Sequence, residues 1–421
     1  MNFFKKYFKG DPNIWAIIVG LSVFSLLAVY SSTGTLAYRW QGGNTAIYII
    51  RHSGFLAVGL TVAFVLHMFP YKYYARISQL LMVIVIPLLV FTLLFGVDEN
   101  DATRRISIFG LTFQTSDLAK MALIMYLAQR LALRQEEIRE FKKTLLPIFV
   151  IIGLVCVLIF PANFSTAVML FGVCVILLFV GRASIRQLSG LCAITLLLGA
   201  LLVSCLYGLH QFGEKIDAKQ GSFYINNITQ RGVTIVNRFD RFVGNNPEDE
   251  SLGKNFQVTQ AKIAIGTGGF FGKGPGNSTQ RNFLPHPYSD FIFAIIIEEW
   301  GVVGGTIVIF LYLNLLYRTI LIVRKCDKTF PAFLVMGLSL SVVFQAFVNM
   351  AVAVGLIPVT GQPLPLISMG GTSILFTGAA FGIILSVSRE VRRQEELQAR
   401  KTVEKKTVEP EPVEESVLQT A

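Results

Sequence analysis

The chain has 421 residues, of which 53% are hydrophobic and only 15% charged, with a formal net charge of +11. That balance excludes an ordinary soluble domain. A nucleic-acid partner is not expected either, because the Lys and Arg residues cluster at the ends of apolar segments, where anionic membrane lipids account for them.

A helix needs about 20 apolar residues to cross a bilayer, and the apolar runs predict ten spans: 14–32, 47–69, 80–97, 118–133, 145–160, 164–180, 188–209, 291–323, 333–354 and 373–388. Lys5, Lys6 and Lys9 precede the first run and no small-residue cleavage site follows it, so it reads as a retained helix rather than a signal peptide. Basic residues mark one side throughout: Lys72 and Arg76, then 130–143, 182–186, 318–328 and 389–393. The opposite short loops hold only Arg39, Arg51, Arg104 and Arg105. Lys and Arg favour the cytoplasm, so both termini are expected there, as an even number of spans requires. The fold class is an all-α integral membrane protein, with one large extracytoplasmic loop, 210–289, between spans 7 and 8. Residues 1–393 form one polytopic domain, and 394–421 is expected to be a disordered cytoplasmic tail, helical only at its start. No internal repeat is visible.

Of the five cysteines, four lie within apolar segments, which implies no disulfide framework. The four histidines are scattered, and no dedicated metal site is expected.

Chemistry-bearing residues gather on the outer side in four stretches. In 104–120, Arg104 and Arg105 suit a phosphate or pyrophosphate, Gln114 and Ser116 are polar neighbours, and Lys120 adds a point charge in the first turn of a span. Pairing with Asp98, Glu99, Asp101 or Asp117, or anchoring to lipid headgroups, is the alternative. The glycine-rich stretch 266–276 lacks the strand and helix context of a dinucleotide loop, and its glycines suit tight turns and close backbone packing.

The third stretch ends in Ser289 and Asp290 and runs into a span that carries Glu298 and Glu299. Ionisable groups at membrane depth are costly and mark substrate paths, although helix capping would explain Asp290 and ion pairing the two glutamates. On a continuous helix Glu298 would lie about 80° around from Asp290 and roughly 12 Å deeper, so the two are not a tight dyad. In the fourth stretch, Pro358, Pro363, Pro365 and the pair Gly370 and Gly371 exclude a regular helix. Irregular backbone at this depth lines a cavity or is buried in protein, which makes Thr360, Gly361, Pro363, Ser368, Gly370, Gly371 and Ser373 candidates for one wall of a site.

Taken together, 105–120, 266–278, 284–301 and 358–373 resemble the SEDS family of bacterial shape, elongation, division and sporulation proteins, over nearly the whole membrane part. Asn277, Ser278 and Gln280 resemble its division branch more than its elongation branch. The resemblance implies a peptidoglycan glycosyltransferase of the bacterial inner membrane that polymerises lipid II, the undecaprenyl-pyrophosphate disaccharide peptide. It implies a cognate class B penicillin-binding protein, other divisome membrane proteins as partners, and a place at the division septum. The family's essential extracytoplasmic aspartate falls on Asp290 as general base, with Arg104, Arg105 and Lys120 facing the departing pyrophosphate. A divalent cation, Mg or Mn, could share that charge. Thr115, Asp117, Asn163, His286 and Tyr288 depart from the family's usual residues, which bears on a second acid near Asp290 but not on the base or the cations. A lipid II flippase or other transporter, and a noncatalytic divisome scaffold, are the competing functions.

Overall fold

The computed structural model describes residues 8–34, 44–95, 97–99, 102–108, 111–215, 256–284 and 287–408. The helices are α1 (Pro12–Ser32), α2 (Ala46–Met68), α3 (Lys72–Phe95), α4 (Thr115–Leu133), α5 (Leu146–Ile159, entered through a π turn at Phe141–Leu145) and α6 (Phe164–Val180). They continue with α7 (Ile185–Lys215), α8 (Phe256–Gly268), α9 (Ile292–Arg324), α10 (Thr329–Ala353) and α11 (Gly371–Val408). Each of the ten expected spans falls on one of these helices, and α8 lies in the large loop.

Eight of the helices are long and apolar enough to cross a membrane, and α6 is a shorter apolar one. The tenth, α4, is less apolar because it runs through protein rather than lipid. Of its 19 residues, 14 are buried, including Asp117, Lys120 and Gln129. A helix sheathed by its neighbours can carry polar groups that lipid would reject.

Local sequence sets the helix starts. Asp11 caps α1, accepting from the Asn13 N–H at 2.8 Å ahead of Pro12. Its carboxylate also takes the Arg318 guanidinium, Nε at 2.9 Å, which ties the start of α1 to the cytoplasmic half of α9. Arg389 of α11 donates to the Met68 carbonyl at 2.9 Å, so the basic ends of several spans gather at one face, as the expected topology requires. Close helix packing rests on small residues. A Cβ on Gly378 would lie 2.2 Å from the Gly59 carbonyl oxygen, and one on Gly382 would lie 2.6 Å from that of Ala63, so α2 and α11 meet backbone to backbone.

The structure departs from the expected all-helical pattern between α3 and α4. There, β1 (Val97–Glu99), β2 (Ala102–Ile108) and β3 (Leu111–Gln114) form a small antiparallel sheet in that order. The alternation Arg105, Ile106, Ser107, Ile108 has the two-residue period of a strand. Pairing places Arg105 opposite Gln114, against the start of α4.

A second departure lies in α9, expected as one continuous helix. Gly301 has φ +68 and breaks it. At the chain's other end, α11 continues well past the expected span end, so 394–408 is helical, while 409–421 lies outside the described residues. Most of the large loop, 216–255, lies outside them as well.

Candidate active site

Asp290 stands in the turn just before α9, half-buried, and the Ser289 hydroxyl donates to its Oδ1 at 3.0 Å. The backbone of this turn is held from two sides. Asn349 of α10 donates through Nδ2 to the Asp290 carbonyl at 2.9 Å and to the Gln362 carbonyl at 2.8 Å. Ser368 donates to the Ser289 carbonyl at 2.6 Å, and the Met369 N–H donates to the Tyr288 carbonyl at 2.9 Å. The turn therefore cannot shift without disturbing both α10 and the 358–370 segment.

That segment is non-helical, as the prolines require, and α11 begins at Gly371. It is pinned from beneath. Tyr312 donates to the Pro365 carbonyl at 2.5 Å, Ser25 to the Ile367 carbonyl at 2.9 Å, and Gln345 to the Pro363 carbonyl at 2.9 Å. Between two of those contacts Leu366 has φ +66, a strained conformation for a branched side chain. Such strain persists where the surroundings over-determine the backbone. Gln362 reaches to α6, donating to Thr166 Oγ1 at 2.7 Å and to Asn163 Oδ1 at 3.4 Å. Asn163 also caps α6, its Oδ1 accepting from the Thr166 N–H at 3.2 Å.

Lys120 is buried and its charge is matched. Its Nζ lies 2.8 Å from Asp117 Oδ1 and donates to Gln345 Oε1 at 2.9 Å. Asp117, Lys120, Gln345, Pro365, Ser373 and Thr377 line a cavity of about 40 Å³ just below the outer end. Gln345 and Asn349 are one turn apart on α10, so a single helix holds the Lys120 cluster and the Asp290 turn together. Sequence reading missed both amides, along with Gln362. The signal was present, since two amides four residues apart stand in an apolar span.

Gln114 and Ser116 bond to each other, Nε2 to Oγ at 3.0 Å, at the start of α4. Thr360, Gly361 and Pro363 are half-buried in the irregular segment, with Gly361 at φ +67. Gly370, Gly371 and Ser373 are half-buried at the head of α11, and a Cβ on Gly371 would meet the Phe55 ring at 2.9 Å. The side chains of Arg104 and Arg105, like His286, lie outside the described residues.

Glu298 and Glu299, candidates for substrate contact or for ion pairing, are both fully buried and bond to donors of the glycine-rich segment and to Ser31. Glu298 accepts from Lys273 at 2.7 Å, from the Thr279 hydroxyl at 2.8 Å and N–H at 3.1 Å, and from the Ser278 hydroxyl. Glu299 accepts from the Ser31 hydroxyl and, at 3.4 Å, from the Ser278 N–H.

The physical reason is the break at Gly301. It frees backbone groups inside the membrane, and 269–274 takes them up. The Val302 and Val303 N–H groups donate to the Gly269 and Phe270 carbonyls at 3.0 and 3.3 Å, while Lys273 and Gly274 donate to the Glu298 and Glu299 carbonyls at 2.9 and 3.0 Å. Glycine is required at this approach: a Cβ on Gly268 or Gly272 would lie 2.2 Å from a carbonyl oxygen of α9. The expected role of these glycines in close backbone packing is what the structure displays.

Among the described residues no group of three His, Cys, Asp or Glu could hold a metal ion, and Asp117 is engaged by Lys120.

Comparison with known proteins gives a consistent result. A family model described as FtsW, RodA and SpoVE cell cycle protein matches residues 12–393. Stage V sporulation protein E of Bacillus subtilis (strain 168) is 31% identical over 394 residues, covering 91% of this chain and 99% of that protein. A protein of Coxiella burnetii named probable peptidoglycan glycosyltransferase FtsW is 31% identical over 89% of this chain and 96% of its own length. Among solved structures, a chain from work on the structural coordination of polymerization and crosslinking by a peptidoglycan synthase complex superposes with a TM-score of 0.67. It is 25% identical and covers 91% of this chain and 98% of that one. With eight helices among the described residues long and apolar enough to cross a membrane, an outer site tied together by α10 and a family match over nearly its whole length, this chain is a multi-pass membrane protein of the FtsW, RodA and SpoVE cell cycle family.

Proposed function

We propose that the protein is an inverting peptidoglycan glycosyltransferase that polymerises lipid II at the outer face of the bacterial inner membrane. The observation that carries this reading is the coupling of an acid and a cation by one helix. Through Asn349 and Gln345, α10 fixes the Asp290 turn and the Lys120 cluster relative to each other. Such a pairing of a carboxylate with nearby positive charge is what glycosyl transfer from a lipid pyrophosphate needs.

The Asp290 carboxylate removes the proton from the acceptor sugar hydroxyl as that oxygen attacks the donor anomeric carbon. The bond from that carbon to the lipid pyrophosphate breaks with inversion, and the electron pair leaves with the pyrophosphate. Lys120, with Arg104 and Arg105 carried by β2 beside α4, offsets the departing charge. A divalent cation would be held mainly by the substrate's own phosphates. Glu298 and Glu299 hold the 269–284 segment against α9 rather than touching substrate.

The relative named as a peptidoglycan glycosyltransferase and the neighbour taken from a synthase complex support this activity and a cognate class B penicillin-binding protein as partner. Septal placement, among other divisome membrane proteins, follows from the division-like residues Asn277, Ser278 and Gln280. Purified protein given lipid II, with and without that partner, is expected to make glycan strands, and a folded Asp290→Ala variant is not. Strand synthesis by the variant at the normal rate refutes Asp290 as base, and leaflet transfer of lipid II without polymer refutes the transferase. A tagged copy is expected in a mid-cell ring, and dispersed sidewall signal overturns the septal role.

A further inference from the structure

A second cavity lies at the opposite end of the molecule from the Asp290 turn. A groove of about 1760 Å³ opens on the cytoplasmic face between the start of α1, the turn joining α2 to α3, and α11. Six basic side chains line it, Lys9, Lys72, Arg76, Arg389, Arg392 and Arg393, against two acids, Glu390 and Glu396. Two of these bases are engaged: Arg389 with the Met68 carbonyl, and Arg393 with Glu390 at 3.7 Å. Among the described residues Lys9, Lys72, Arg76 and Arg392 form no ion pair, so the groove keeps a cationic mouth. The other half of its lining is apolar. Trp15, which donates to the Lys9 carbonyl at 3.3 Å, stands at the junction, and Ala16, Val19 and Gly20 continue down the outer face of α1. Val19 is 60% exposed.

We propose that this groove is a specific site for an anionic phospholipid of the cytoplasmic leaflet, with its headgroup among the cations and one acyl chain along α1. The two-part lining selects this occupant. A soluble anion would leave the apolar wall unused. The membrane helix of a partner would bring Lys or Arg at its own cytoplasmic end, which the cationic mouth repels. An anionic lipid satisfies both halves, and Trp15 sits at the headgroup level where indoles anchor. The site is separate from the outer cluster and stands or falls independently of the proposed reaction.

The full chain is placed in nanodiscs of phosphatidylcholine and phosphatidylglycerol, extracted into mild detergent, and examined by native mass spectrometry for retained lipid. Wild type is expected to retain phosphatidylglycerol in preference to phosphatidylcholine. Arg76→Gln with Arg392→Gln, two exposed positions, is expected to weaken that retention roughly thirtyfold, the loss expected for removing two basic residues at an anionic surface. Ala16→Trp, which obstructs the apolar half without changing charge, is expected to weaken retention of the same lipid. Lys142→Gln with Arg186→Gln, basic positions on other cytoplasmic segments, is the control and should leave it unchanged. The proposal is overturned if wild type shows no preference for phosphatidylglycerol, if the Arg76 and Arg392 variant retains it as well as wild type, or if the control loses as much. It is also overturned if inorganic phosphate displaces the lipid and Ala16→Trp has no effect, which would make the groove a site for soluble anions.

Discussion

The start of α9 and its break at Gly301 present acids that look alike in the sequence and differ in the folded protein. At the start, Asp290 is half-buried on a turn whose backbone is fixed by Asn349 and whose neighbour, Ser289, is fixed by Ser368. At the break, Glu298 and Glu299 are wholly enclosed, and their carboxylates face donors of the 273–280 segment and Ser31. Both oxygens of Glu298 are taken up by donors, which commits it to structure, whereas Glu299 bonds through Oε1 alone and its Oε2 has no partner among the described residues. Asp290 stands at a partly open turn with a rigid backbone, as the proposed general base requires. Depth and charge alone do not separate the two roles; the partners do.

That contrast predicts effects of different size and kind. The largest is at Asp290. Asp290→Asn keeps the shape of the side chain and removes its basicity, so kcat for lipid II polymerisation should fall by about a thousandfold, within the range for loss of a general base, while the melting temperature holds. Equal losses of activity and stability would make Asp290 a structural acid like Glu298.

Glu298→Ala should show the reverse signature. It strands Lys273 and the donors of Ser278 and Thr279, and loss of one partner of a buried pair costs about 3 kcal/mol or more. The expected result is a lower unfolding temperature in detergent and faster proteolysis within 269–284. Unchanged stability with a collapsed kcat would return Glu298 to the substrate.

Lys120→Met tests whether the buried cation serves the reaction or only Asp117. As a stabiliser of the leaving group its loss should lower kcat about a hundredfold, the scale for one electrostatic contact to a developing charge. The double variant Asp117→Asn with Lys120→Met, which removes the stranded acid, should recover stability but not turnover. Recovery of both would sink the electrostatic role.

Ser368→Ala should have the smallest effect. It deletes one hydrogen bond to the turn, worth about 1 kcal/mol, and is expected to lower polymerisation only a few fold. A loss as great as that of Asp290→Asn would mean that the turn has no other effective support.

Much of the site was legible because its signals are local. Asp290, Lys120 and Ser368 stand out as polar residues beside apolar runs, and the prolines and glycines of 358–371 forbid a helix wherever the segment packs. Gln345 and Asn349 were equally visible but lacked the charge that drew notice to the acids. The roles of Glu298 and Glu299 were not legible, since their donors come from residues 18 to 268 positions away and appear only when the glycine-rich segment docks. The same holds for the break: Gly301 permits a positive φ, but only the contact with 269–274 makes it favourable.

By itself the sequence determined that this is a helical membrane protein and where its apolar helices lie, and its flanking charge set the expected orientation, because hydrophobic length and charge act on each segment separately. It also marked the outer side as the place for chemistry. Only the tertiary structure decided that Glu298 and Glu299 are enclosed while Asp290 stays half-buried, and that a broken helix is completed by a distant loop. Those outcomes depend on hydrogen bonds between segments far apart in the chain, and a buried polar group takes its role from the partner that satisfies it.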